Sequence, residues 1–129
     1  MSTESPSSPS KDLNRAHPIP LEWRRLLRDI VKRLAAGDFA LSDLPFVSSV
    51  SRRTQEQIKA YLAQYREALI DLPEATWSSS VAQWTETHWE VLVDLWTKES
   101  GNSDLCLSVR VFEVAGGGYR MEVDSVHVP

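Results

Sequence analysis

The chain is poor in nearly everything that marks a specialised site. It has one cysteine, Cys106, in 129 residues. That excludes an intramolecular disulfide and a cysteine-rich structural zinc site. It has five glycines, and three of them form a single run, Gly116-Gly117-Gly118. A phosphate-cradling loop leads from a strand into a helix, because the helix N-terminus supplies the N–H groups. This run lies between two segments of strand period, so it reads as a hairpin turn that needs positive φ. No window approaches the roughly 18 apolar residues of a membrane span. The opening MSTESPSSPSKDLNRAHPIP has no apolar stretch of signal-peptide character. A reducing cytoplasm is the expected compartment.

Paired chemistry is equally scarce. His17, His88 and His127 show no H-x-x-x-H spacing. Ser78-Ser79-Ser80 has no G-x-S-x-G surround, and no basic residue flanks Cys106 to lower its pKa. No catalytic residue, metal ligand or cofactor is therefore expected. Arg24, Arg25, Arg28, Lys32 and Arg33 make a basic helix face, but the pI is about 5.3 and no nucleic-acid motif accompanies them. Nucleic acid is not an expected partner, and no membrane is.

What the chain does have is tryptophan and a split of charge. Five Trp give a small domain large apolar area to bury. Residues 1–70 hold 11 Lys/Arg against 8 Asp/Glu, and residues 71–129 hold 3 against 10. Ordinary solvated faces account for this, although an acidic surface also attracts basic partners.

Residues 1–17 are rich in Ser, Pro and charge, and read as a disordered N-terminal tail; residues 18–129 read as one domain. Trp23, Leu26, Leu27, Ile30, Val31 and Leu34 share one helical face over about 20–36, with Pro20 opening the helix and Gly37 closing it. Phe39, Leu41, Leu44, Phe46 and Val47 are expected to plug the core from an irregular segment, since Pro45 argues against a regular helix. Thr54 as N-cap and Gln57 three residues on suggest a capping box for a second helix running to about Ile70.

The period then becomes that of strands. Trp89–Trp96, Asp104–Val114 and Tyr119–Val128 are expected strands, with a weaker one inside Trp77–Thr85. Short connectors make neighbours antiparallel. The fold class is α+β: two N-terminal amphipathic helices packed on one face of a four-stranded antiparallel β-meander. Val91, Val93, Leu95, Leu105, Leu107, Val109, Val111, Met121 and Val123 form the face to be buried. Val126 falls out of phase, which calls for a bulge near Asp124-Ser125. Pairing Val93 with Leu107 and Val109 with Val123 sets Arg110 between Glu90 and Glu122.

The second sheet face is mixed. Leu92, Asp94, Trp96, Arg110, Phe112 and Glu122 lie on it, aromatics rimmed by charge, which suits a protein interface better than a cleft. The expected partner is another protein or a second copy of the chain. The alternative is a small enzyme or ligand-binding domain with a pocket between sheet and helices, lined by Trp77, Trp84, His88 and Asp94.

L-P-x-x-T-W-S-S (Leu72 to Ser79) and W-x-V-L-V-D-L-W-T-x-E-S-G-x-S-D-L-x-L-x-V (Trp89 to Val109) resemble a small bacterial domain family of unknown function. The Trp23 helix and the V-x-V-P ending, Val126 to Pro129, extend the resemblance to about residues 18–129. It implies no activity and no site residues. In size and build the chain is also similar to bacterial toxin-immunity proteins, without a shared motif.

Overall fold

The structure is a computed structural model that describes residues 9–129. Helix α1 spans Leu21–Ala35 and buries Trp23, Leu27, Ile30, Val31 and Leu34, the expected stripe apart from a half-buried Leu26. Pro20 precedes it at φ −54°, and the chain leaves through a Schellman turn. There Gly37, at φ +86°, donates to the Leu34 carbonyl and Asp38 to that of Arg33.

Helix α2 spans Arg52–Tyr65. It starts one turn ahead of the expected box, because Ser51 is the N-cap and its Oγ accepts from the Thr54 N–H at 3.2 Å. It also stops early. Arg66 turns left-handed at φ +64°, which frees residues 68–70 to pair with the end of a strand. Ile70 donates to the Trp96 carbonyl, and Lys98 to that of Ala68.

The sheet has five antiparallel strands in sequential order, one more than expected. They are β1 (His17–Pro18), β2 (Val81–Trp84), β3 (Trp89–Thr97), β4 (Gly101–Glu113) and β5 (Tyr119–His127). A two-residue strand containing proline carries no periodic signal, and an edge is where a missing N–H is tolerated. A 3₁₀ turn, Glu74–Ser78, takes up the first two residues of the weak strand segment. Just ahead of β2, side chains serve the edge of β3: Thr76 Oγ1 donates to the Asp94 carbonyl, and Ser80 Oγ accepts from the Asp94 N–H.

The register is the expected one. Val93 faces Leu107, Val109 faces Val123, and Arg110 lies between Glu90 and Glu122. The register shift between Ser108 and Val109 leaves Asp124 as the extra residue and returns Val126 to the core, fully buried. All nine residues assigned to the inner face are buried, beneath α1 and Ile58 of α2.

Both edges of the sheet are covered. Residues 1–8 of the expected tail lie outside the described residues. Residues 9–17 run along the sheet as a strap: the Ser10 carbonyl accepts from Trp89 Nε1 and the Asp12 carbonyl from Gln83 Nε2, both at 2.9 Å. Lys11 pairs with Glu113 at 2.8 Å and stands 5.0 Å over the Trp84 ring. These anchors are backbone carbonyls and a lysine, so an apolar pattern does not reveal them. At the other edge, Phe46 and Ser48 bracket Met121 in a parallel bridge. Further along, the Gln57 amide holds both polar groups of the Val126 backbone, and Tyr61 Oη accepts from the Val128 N–H.

One expected core residue points outward. Leu41 and Leu44 are buried as anticipated, but Phe46 is 73% exposed. Its backbone sits at φ +66°, where the carbonyl meets the Met121 N–H at 2.8 Å and the ring turns to solvent.

Candidate interaction face

Among the described residues, the helices occupy one side of the sheet and leave the other side open. Strand alternation places Glu90, Leu92, Asp94 and Trp96 of β3 on that open side. Arg110 and Phe112 of β4, with Arg120, Glu122 and Asp124 of β5, join them. Cross-strand pairing arranges these residues in rows.

The best-formed row is ionic. Arg110 lies 3.0 Å from Asp124, 3.6 Å from Glu90 and 3.9 Å from Glu122. Glu122 also receives Arg120 at 2.8 Å, and Arg120 donates to Ser48 Oγ at 2.8 Å. The bulge is what brings Asp124 level with Arg110. The next row is aromatic. The His88 and Phe112 rings lie 5.1 Å apart, Arg120 stands 4.7 Å over Phe112, and His88 Nε2 meets Glu90 at 2.5 Å.

The six residues singled out from the sequence do not gather in one patch. Arg110, Phe112 and Glu122 cluster at one end, and Leu92, 37% exposed, lies mid-face opposite Ser108. Asp94 is hydrogen-bonded by Ser79 Oγ. Trp96 is at the far end, eight residues along β3 from His88, the neighbour of Phe112, which is about 25 Å of strand. It is half-buried and folds toward Gly101, and its Nε1 has no partner among the described residues.

Cys106 lies between Asp94 and His127 across the strands and is almost fully buried. Loss of solvent and the nearby Asp94 carboxylate push its thiol up to about 11. A thiol held protonated is a poor nucleophile, which sets this Asp–Cys–His row apart from an activated thiolate. The residues of the pocket alternative are not assembled either. Trp84 faces Trp89 on the helix side of the sheet, whereas Asp94 lies on the open side. Trp77 packs against Arg24 and Arg28 of α1.

Sequence reasoning missed what borders the face on its β5 side. A polar hollow of about 220 Å³ separates Ser48–Ser51 and Thr54 from Arg110, Glu122 and Asp124. The serine run has no periodicity and lies about sixty residues from its neighbours, so only its density of hydroxyls hinted at a role. Among the described residues, no group of three or more His, Cys, Asp or Glu stands where it could hold a metal ion. No helix among them is long and apolar enough to cross a membrane.

Fold and face together define an α+β domain with helices on one side of an antiparallel meander and an open, ion-paired surface on the other. Over residues 31–129 the sequence matches the family described as Domain of unknown function (DUF7668), and the chain belongs to that family. The match takes in the whole open face and begins at Val31, in the last third of α1. Comparison with curated proteins and with solved structures returned no match.

Proposed function

We propose that the chain is a non-enzymatic protein-binding domain that holds a partner protein on its open sheet face. The observation that carries this reading is the pairing of Leu92 and Phe112 with a fixed charge lattice on a face that no helix among the described residues covers. Four carboxylates, Glu90, Asp94, Glu122 and Asp124, stand there against two guanidiniums, Arg110 and Arg120. That excess favours a partner presenting basic groups, as a basic toxin domain would to an immunity protein. The lattice holds its side chains in place before contact, which lowers the ordering cost of association.

The test is affinity capture from the native host with the wild-type chain and with Leu92→Ala/Phe112→Ala. A defined partner recovered by the wild type and lost by the variant, with unchanged circular dichroism, supports the reading. Equal recovery by both proteins overturns it.

A further inference from the structure

We propose that the chain forms a two-fold dimer through the exposed stripe of α1 and the outward Phe46, on the helical side of the molecule and away from the open sheet face. The first observation is the order of charge along α1. Its exposed charged positions read Glu22, Arg25, Asp29 and Lys32, alternating negative and positive. Reversed, that sequence is its own complement. Two copies of α1 packed antiparallel about a point near Leu27 set Arg25 against Asp29 of the second copy, and Glu22 against Lys32. Each contact then occurs twice, as an isologous interface requires. Among the described residues, Glu22, Arg25 and Asp29 make no ion pair within 4.0 Å, and Lys32 reaches only Asp71, at 4.0 Å.

The second observation is a ridge beside a hollow. Phe46 is 73% exposed, and its backbone is held at φ +66° by the bridge to Met121, so the ring projects from a fixed base. Phe46 itself forms one wall of a hollow of about 460 Å³, whose other walls are Leu26, Leu44 and Pro45 and whose rim is Glu22, Arg25 and Asp29. A ridge and a hollow on one face are what a self-complementary surface needs: each Phe46 enters the other copy's hollow. A large aromatic at the centre of such a contact, ringed by paired charges, is the usual form of a binding hot spot.

Sedimentation velocity on the full chain, from micromolar to millimolar protein, reads the outcome. The wild type is expected to dimerise. Phe46→Asn, which suits a left-handed backbone, is expected to weaken the dimer about tenfold or more. Arg25→Asp or Asp29→Arg alone weakens it, and the double exchange Arg25→Asp/Asp29→Arg restores it, because the swapped charges still meet across the axis. Monomeric wild type throughout the range overturns the proposal, including the case where a different protein occupies this surface. A dimer indifferent to Phe46→Asn, or a double exchange no better than its single variants, overturns it equally.

Discussion

Replacing Arg110 with methionine keeps most of the side-chain stem over the sheet and removes the charge that three carboxylates share. The four side chains are each 37–39% exposed, so solvent screens them and each pair contributes a few tenths to about 1 kcal/mol. With the repulsion left among Asp124, Glu90 and Glu122, the loss comes to about 1–2 kcal/mol. For a domain of this size that lowers Tm by roughly 3–8 °C. The distances also rank the pairs. Asp124 is ion-paired with Arg110 at 3.0 Å, whereas Glu122 lies at 3.9 Å and retains Arg120. In double-mutant cycles with Asp124→Asn and Glu122→Gln, the coupling to Arg110 should be about 0.5–1 kcal/mol for Asp124 and smaller for Glu122. Thermal and urea unfolding followed by circular dichroism, at low salt and at about 1 M salt, supply the numbers. At the higher salt the Debye length is about 3 Å and both couplings should shrink. A larger coupling to Glu122 than to Asp124, or couplings indifferent to salt, would refute the picture of Arg110 as the hub of the lattice.

Other expectations concern the sheet edge, the buried thiol, a helix end and the strap. Gln57→Leu leaves both polar groups of the Val126 backbone without their side-chain partner and should cost about 1–2 kcal/mol in urea unfolding. Cys106 should resist a thiol reagent at neutral pH in the folded chain and react promptly in denaturant, because folding raises its pKa to about 11. The same shift makes the thiol's contribution to stability complete below its ordinary pKa of 9.0, and lost as pH rises from there toward 11. Gly37→Ala, at φ +86°, should destabilise the chain by about 1 kcal/mol through strain at the turn after α1, measured by thermal unfolding. The hydrogen bond from His17 holds the Asp12 carboxyl below its usual value of 3.8. Its contribution to the strap is therefore complete above that value and lost as pH falls through the depressed one. Emission from Trp84 and Trp89, beneath Lys11, should report the release.

The parts of the fold that repeat were legible in the sequence. Alternation through Val91–Leu95 and Leu105–Val111 fixed the buried face, and the phase slip at Val126 located the bulge. The neighbours of Arg110 followed from that register alone. What escaped depends on single hydrogen bonds. Ser51 and Thr54 are both acceptable N-caps, and only the observed bond to Oγ chooses between them. Phe46 has the composition of a core residue, yet a positive φ turns it out. Trp96 and Phe112 share a face by parity, but parity is silent about their separation along the strands.

The covered edges of the sheet have a kinetic consequence. The contacts that close them join residues far apart in sequence: Ser10 and Trp89 are separated by 79 positions, Gln57 and Val126 by 69. The hairpins of β3, β4 and β5 close over short turns and are expected to form first, whereas closures of that length carry the larger chain entropy and are expected later. Between these events the nascent meander shows bare strand edges, and two such intermediates can add to one another. Refolding yield should therefore fall as protein concentration rises, and fall further in a chain lacking the residues that lie along β2.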